Sequence, residues 1–172
     1  MRSSLDSHSA SPIVFLAVVV VALAAAPVAA QDCVDPVSHA PGPLDVVAVS
    51  GGYAYIGSGD TQAPANFFVA DVSNPSAPRV VGEVALPGWS PPMDVAVSGG
   101  YAYVADGSAG LRVIDVSNPS SPMEVGSFDT PGEAWGIALS GSFAYVADGT
   151  AGLRVIDVSD PTASSEVGFV DT

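Results

Sequence analysis

The sequence has no lysine, one cysteine and two histidines, and these absences exclude several classes of function. Its 172 residues contain four cationic side chains, all arginine, against 18 acidic residues, so the formal net charge is −14 at pH 7. A chain this acidic repels phosphate backbones and anionic lipid headgroups. We therefore expect neither nucleic acid nor a membrane surface as a partner.

The residue patterns of common catalytic sites are also missing. Serine is frequent, but no Gly-x-Ser-x-Gly motif occurs. His8 lies in the amino-terminal segment and His39 in a proline-rich stretch, so no pair of histidines is available for a metal site or a catalytic dyad. The sequence predicts no catalytic residue, no metal, no cofactor and no enzymatic activity.

The first 30 residues differ from the rest of the chain. Residues 12–30 read PIVFLAVVVVALAAAPVAA, and a polar, proline-rich lead segment follows at 31–43. An apolar core of about 14 residues that ends in small residues predicts a signal peptide over residues 1–30. The alternative is an uncleaved anchor, since about 18 apolar residues can span a bilayer. Either interpretation exports the remaining chain, and after cleavage we expect no membrane insertion.

Cys33 lies three residues beyond the predicted cleavage position. Lipid attachment needs a small residue immediately before the cysteine, and Asp32 occupies that position, so we do not expect lipidation. A single cysteine in an exported chain more often pairs with a group outside the chain. The role of Cys33 stays open.

A phrase of seventeen residues occurs twice, 42 residues apart. It reads YVADGSAGLRVIDVSNP at Tyr103–Pro119 and YVADGTAGLRVIDVSDP at Tyr145–Pro161. Residues 95–130 match residues 137–172 at 24 of 36 positions without a gap, and a looser copy begins at Val47. A period of about 40 to 45 residues indicates a repeat architecture. We divide residues 44–172 into repeats at about 44–90, 91–132 and 133–172.

Each repeat contains four short apolar runs. In the middle repeat they are DVAVS, YAYVA, LRVIDV and MEVGSF, at residues 94–98, 101–105, 111–116 and 123–128. Glycine pairs, Asp-Gly and Asn-Pro separate them, and these residues favour tight turns. Runs of five or six residues rich in Val, Ile and Tyr between such turns predict β-strands.

The strands are apolar on both faces, which indicates how the sheets pack. A sheet with one wet face alternates apolar and polar residues, whereas YAYVA and VIDV do not. No helical pattern follows Gln31, so neighbouring repeats must cover each sheet. The sequence therefore predicts an all-β fold, a β-propeller-like array of three four-stranded antiparallel blades. Because closed propellers need about four to eight blades, we expect further blades in cis or a homo-oligomer in trans, and open outer faces on the first and third blades.

The repeats resemble LVIVD repeats. The resemblance rests on the order Tyr-Val-Ala-Asp-Gly, Gly-Leu-Arg-Val-Ile-Asp-Val-Ser and Asn/Asp-Pro, and it extends over residues 47–172. It implies a propeller fold, bacterial or archaeal surface or secreted proteins, and no common enzymatic activity. The first repeat departs from the pattern, because FFVADVSNP lacks the Gly-Leu-Arg lead-in, which puts its third strand in doubt.

Asp71, Asp115 and Asp157 occupy the same position in the three repeats. They could form a ring of catalytic or metal-binding carboxylates. Alternatively, each accepts hydrogen bonds from the Ser-Asn-Pro or Ser-Asp-Pro turn that follows it, as a polar group in an apolar strand requires. Because the same turn always follows, we interpret these residues as structural turn carboxylates.

Two further repeated features have a functional and a structural interpretation. Asp106-Gly107 and Asp148-Gly149 could begin calcium loops, but each loop offers one carboxylate and one hydroxyl, which favours a hairpin turn. Arg112 and Arg154 could form an anion site. In so acidic a protein we expect them to pair with nearby carboxylates instead.

The loops that enter the innermost strands are the best candidates for binding. They contain both tryptophans, Trp89 and Trp135, together with Asp94 and Glu133. Aromatic and acidic loop residues suit a protein or glycan partner. The alternative is that both rings cap the core.

The sequence thus predicts an exported, non-enzymatic interaction or scaffold module of the cell surface or periplasm, as part of a larger propeller. Two alternatives stay open. One is an amino-terminal fragment of a propeller hydrolase or lyase whose catalytic residues lie in other blades. The other is a structural spacer in a longer surface protein.

Overall fold

The computed structural model describes residues 44–60, 63–87 and 91–172. The predicted signal peptide, the lead segment 31–43 and Trp89 lie outside these ranges. The described residues form three four-stranded antiparallel sheets. The first sheet contains β1 (Leu44–Ser50), β2 (Tyr53–Asp60), β3 (Ala63–Asp71) and β4 (Arg79–Ala85); the second contains β5 (Asp94–Ser98), β6 (Tyr101–Ala105), β7 (Leu111–Asp115) and β8 (Met123–Phe128); the third contains β9 (Gly136–Ser140), β10 (Phe143–Ala147), β11 (Leu153–Asp157) and β12 (Ser165–Val170).

The predicted strands of the middle repeat agree with the structure, except that β7 ends at Asp115 rather than Val116. The backbone N–H of Val116 donates to Gly100 O at 2.9 Å and so closes the next turn instead of extending the ladder with β8. The first repeat does form its third strand, β3, although it lacks the Gly-Leu-Arg lead-in.

Strand order in each sheet follows chain order, because short turns join neighbouring strands. The β5–β6 turn consists of Gly99 and Gly100, whose φ angles are 60° and 84°. Two consecutive positive φ angles match the twist of a two-residue hairpin and are accessible to glycine at little cost. A register shift recurs between the third and fourth strands, at Val69/Ala70, Val113/Ile114 and Val155/Ile156.

The sheets pack face to face through two apolar clusters. The first cluster joins Tyr55, Phe67 and Val69 of the first sheet to Val104, Ile114 and Val116 of the second. The second cluster joins Tyr103, Leu111 and Val113 of the second sheet to Ala144, Val146 and Ile156 of the third. Strands β1, β5 and β9 contact one another in succession. The first strand of each sheet therefore lies on one common side, in a propeller-like arrangement.

The outer faces of the array differ from the expectation. The third sheet is open, with Leu153, Val167 and Val170 exposed by 37%, 56% and 59%. The centre of the outer face of the first sheet is instead buried, so the prediction that it is open was wrong there. Val72 and Val80 pack against a buried cluster of this sheet; its members are Ala54, Ile56, Phe68 and Ala70.

Helices contribute little to the described part of the chain. It contains a short 3-10 helix, Gly149–Ala151. No helix among the described residues is long and apolar enough to cross a bilayer.

Candidate functional site

Four loops meet at one end of the sheets, which we call the entry end. They precede β5 and β9 or join β6 to β7 and β10 to β11; their residues are 91–93, 129–135, 106–110 and 148–152. Because successive strands run in opposite directions, these loops share one end. Of the four residues predicted from sequence to bind a partner, the structure places Asp94, Glu133 and Trp135 here, and Trp89 lies outside the described residues.

Trp135 lies on the surface of the entry end. Its side chain is 52% exposed, and its backbone N–H donates to Ala147 O at 2.8 Å. The indole Nε1 lies beside Gly149, where an added Cβ would be 3.2 Å away. Glu133, two residues earlier, is also exposed. The ring therefore rests on the β10–β11 turn and does not cap the core, contrary to the alternative interpretation.

The loop that carries Trp135 is fixed by the second sheet. The N–H of Gly107 donates to Ala134 O at 3.1 Å, and the N–H of Ala134 donates to Gly107 O at 2.9 Å. Ala134 itself is fully buried. Glu133 and Trp135 thus flank a residue that is anchored in both backbone directions, so their positions are set before any partner arrives.

Asp94 has a different role from Glu133 and Trp135. Its Oδ1 accepts from Val95 N at 2.8 Å, and its Oδ2 accepts from Ile137 N, in the third sheet, at 2.9 Å. Both oxygens are therefore used within the protein. The carboxylate joins the innermost strands of two neighbouring sheets.

A buried Asp–Arg pair lies behind each of two entry-end turns. In the second sheet, Arg112 Nε lies 3.7 Å from Asp106 Oδ2 and Nη1 lies 3.2 Å from Glu124 Oε1. In the third sheet, Arg154 Nε lies 3.7 Å from Asp148 Oδ2 and Nη1 lies 3.7 Å from Glu166 Oε2. The predicted pairing of both arginines with carboxylates is confirmed.

The cluster of the third sheet contains two further contacts. Arg154 Nη2 lies 3.0 Å from Asp171 Oδ1, and the guanidinium carbon lies 4.8 Å from the centre of the Phe169 ring. Asp148 Oδ2 also accepts from Gly132 N at 2.9 Å. These contacts tie the strand ends of the third sheet to the loop that precedes β9.

Sequence reasoning treated Asp106 and Asp148 as turn residues and missed their burial. Their exposures are 1% and 0%. A signal was present, because the Asp, Arg and Glu of the two clusters are each 42 residues apart. Three charged residues that recur together at the repeat period indicate a shared contact rather than three separate surface groups.

Burial determines what these carboxylates can do. It raises the pKa of Asp106 to about 7, with Glu124 adding to the rise and Arg112 opposing it. Asp106 Oδ1 and Asp148 Oδ1 have no hydrogen-bond partner among the described residues. Since neither side chain reaches solvent, neither can exchange a proton with a bound solute. The geometry fits a structural role.

The three predicted turn carboxylates lie at the opposite end of the sheets. Oδ1 of Asp71 accepts from Ser73 N at 3.0 Å, Oδ1 of Asp115 from Ser117 N at 2.9 Å, and Oδ1 of Asp157 from Ser159 N at 2.9 Å. Hydrogen bonds from these serines lower the pKa of all three carboxyls. The bonds are solvent-exposed, so the carboxylates end their strands rather than lying buried inside them.

The described residues contain no group of three or more His, Cys, Asp or Glu that could hold a metal ion. A cleft of about 360 Å³ lies between the second and third sheets at the end opposite the entry end. Tyr101, Tyr103, Leu139 and Val158 line it together with glycine, serine and proline. It has space for a small group, but its lining has no charged side chain that could drive a reaction.

Known proteins match the chain in sequence pattern and in fold. The LVIVD repeat family matches residues 41–85, 92–130 and 131–172. A comparison with the curated proteins gives no match. The crystal structure of the computationally designed Ika4 protein is similar with a TM-score of 0.60 and 14% identity, over 79% of this chain and 77% of that chain. At this identity the likeness shows the fold alone. The three family matches include most of the sequence, and the chain belongs to the LVIVD repeat family.

Proposed function

We propose that this protein is an exported, non-enzymatic interaction or scaffold module that works at the cell surface or in the periplasm, as part of a larger β-propeller. We assign partner binding to the loop that carries Glu133 and Trp135. One observation carries the assignment: Trp135 is half-exposed although the backbone on both sides of it is held by hydrogen bonds.

The arrangement supports binding on energetic grounds. Tryptophan is enriched among the residues that dominate interface energies, since its large rigid ring loses little conformational freedom on contact. The hydrogen bonds of Ala134 and Trp135 fix the loop in advance, which lowers the cost of ordering it in a complex. The exposed ring therefore offers a preorganised contact.

Charge narrows the class of partner. Glu133 and Asp129 are exposed beside the ring, and the side chain of Asp171 is 67% exposed. Acidic groups around an aromatic surface favour a neutral or basic partner and repel an anionic one. A glycan that stacks on the indole and a protein with a basic rim both fit this chemistry.

Binding is better supported than catalysis. The carboxylates at the entry end with the strongest environments, Asp106 and Asp148, are buried in ion pairs, and Asp94 uses both oxygens within the protein. None of these groups faces a cavity in the described part of the chain. No described residue specifically favours a hydrolase or lyase fragment.

Export rests on residues 1–30. Protein secreted from a bacterial host should begin at Gln31, because cleavage is expected after Ala30. Amino-terminal sequencing of the protein outside the cytoplasm tests this. Soluble cytoplasmic protein that begins at Met1 would contradict it.

The binding assignment is tested with immobilised glycans and cell-envelope proteins as probes. Trp135→Ala should weaken any saturable binding at least tenfold while leaving the melting temperature within about 2 °C, because the ring is half outside the core. Met123→Ala is the matched control, since Met123 is 59% exposed but lies at the other end of β8. Equal affinities of wild type and Trp135→Ala would refute the assignment.

A further inference from the structure

A turn of each following sheet rests on a glycine of the sheet before it. A Cβ added to Gly82 of β4 would overlap the backbone oxygen of Pro119 in the second sheet. A Cβ added to Gly126 of β8 would overlap the backbone oxygen of Pro161 in the third sheet. Gly168 is the equivalent residue of β12, and an added Cβ there has no atom within 4 Å. The third sheet thus has the glycine without the turn.

The side chains around Gly168 show the same difference. In the second sheet, Leu111 and Ala105 are fully buried beneath the third sheet. Their equivalents in the third sheet are Leu153, which is 37% exposed, and Ala147, which is also exposed. Val167 and Val170, on the same face, are exposed by 56% and 59%. Contiguous apolar surface of this kind marks an interaction site.

The molecule itself shows what covers this face. On the first sheet the covering residues are Ala102, Val104, Ile114 and Val116 of the second. On the second sheet they are Ala144, Val146, Ile156 and Val158 of the third. Both covering sheets also contribute the turn at Pro119 or Pro161. The face therefore fits a sheet with small and branched residues in alternation and a Ser-Asn-Pro or Ser-Asp-Pro turn.

We propose that the outer face of the third sheet is the docking surface for a further LVIVD-type sheet, whose Ser-Asx-Pro turn lies over Gly168. A second copy of this chain is a poorer occupant. Its second and third sheets already use the covering face, and that face of its first sheet is buried at Ala54, Ile56, Phe68 and Ala70. The inference rests on the proposed role as part of a larger propeller.

The sequence allows a direct test with an added repeat. Asp171-Thr172 repeats Asp129-Thr130, so residues 131–172 appended after Thr172 continue the repeat in phase. Hydrogen exchange is then measured for the amides of β11 and β12 in the 172-residue chain and in the extended chain. Docking should slow exchange there at least tenfold, toward the rates of β7 and β8, because opening β12 would then require the new contact to break.

Gly168→Val is the blocking variant. In the extended chain it should abolish the added protection, because its side chain occupies the place of the docked turn. In the 172-residue chain it should leave the melting temperature unchanged, because the site is open. Gly126→Val is the matched control and should destabilise both chains, since it collides with Pro161.

Three results would overturn the proposal. One is unchanged exchange of β11 and β12 in the extended chain. Another is equal protection with and without Gly168→Val. The third is a stable dimer of the 172-residue chain in sedimentation velocity that Gly168→Val dissociates, which would assign the face to a second copy. None of these measurements involves the Trp135 loop, so failure of docking is distinguishable from failure of partner binding.

Discussion

The first sheet and the two later sheets solve the same packing problem with different chemistry. Phe68 pairs with Ile56 in the register in which Arg112 pairs with Val104. Val80 pairs with Ala70 in the register in which Glu124 pairs with Ile114. Ser58 occupies the position of Asp106 in the second sheet and of Asp148 in the third. An apolar set in the first sheet thus replaces an ionic set in the others.

The comparison shows that the backbone does not require the ion cluster. Burying a carboxylate and a guanidinium costs desolvation energy, which their attraction offsets only if both are present and well hydrogen-bonded. The apolar set avoids that cost and gives the same four strands with the same register shift. Either complete set is therefore compatible with the sheet, whereas part of the ionic set is not.

The largest expected effect comes from breaking one ionic set. Arg112→Phe leaves Asp106 buried without its partner and should lower the free energy of unfolding by about 3 to 5 kcal/mol. Adding Asp106→Ser and Glu124→Val completes the set of the first sheet and should restore stability to within about 1 kcal/mol of wild type. Urea unfolding measures both. Arg79→Phe, at a side chain that is 74% exposed, is the control and should change little.

The triple variant separates two explanations. If it is as unstable as Arg112→Phe alone, the ion cluster is required by the second sheet for a reason that the first sheet does not share.

The next effect is a dependence of stability on pH. The pKa of Asp106 is about 7 when folded, against an ordinary value of 3.8, so between these values the folded state binds more protons than the unfolded state. Stability should therefore fall as pH rises from about 4 to 7, by at most about 4 kcal/mol at about 1.4 kcal/mol for each pKa unit. Asp106→Asn should remove this slope.

The turn carboxylates give the opposite sign in a separate range. Their pKa values are lowered in the folded state, so their contribution is lost as pH falls below about 4. Melting temperatures measured from pH 3 to 8 should pass through a maximum near pH 5. A wild-type profile that is flat from pH 5 to 7.5 would contradict the assignment of Asp106.

A smaller loss is expected where two sheets are joined. Asp94→Ala removes the acceptor of Ile137 N, a partly buried donor, and should cost about 1 to 3 kcal/mol. Asp129→Ala, at an exposed residue of the same end, should change stability by less than about 0.5 kcal/mol. Asp94→Asn keeps an acceptor oxygen and should recover part of the loss. Equal stability of Asp94→Ala and wild type would show that the two sheets need no such link.

The smallest effect is expected at the turns. Asp115→Ala removes an exposed hydrogen bond to Ser117 N, and water can replace the lost acceptor, so the cost should be near 0.5 kcal/mol. Thermal unfolding of Asp115→Ala beside Ser117→Ala checks this. A loss as large as that of Asp94→Ala would mean that the turn holds more than its own strand end.

The repeated phrases predicted the strands and turns closely, because these depend on neighbours in sequence. Alternating Val and Tyr residues with glycine pairs at 99–100 favour a hairpin whatever lies on the faces of the sheet. The lead-in missing from FFVADVSNP raised doubt about β3 that proved unnecessary, since Phe67 and Phe68 pack well enough without it. Local pattern was sufficient for each of these elements.

The candidate site was predicted less well. Asp94, Glu133 and Trp135 have the same standing as loop residues in the sequence, yet one carboxylate joins two sheets and the ring lies on the surface. The bond from Ile137 to Asp94 spans 43 residues and depends on how one sheet is placed against the next. Distances of that kind follow from the packing of two faces and have no counterpart in local pattern.

By itself, the sequence determined the three repeats, the all-β class, the family and the turns, because period, hydrophobic pattern and turn residues are local properties. Only the tertiary structure decided that Asp106 and Asp148 are buried beside arginines, that Asp94 is engaged, and that Gly168 faces open space while Gly82 and Gly126 do not. The three glycines occupy equivalent positions in three similar repeats. They differ because burial belongs to the contact between sheets, and a repeat takes its environment from the neighbour packed against it.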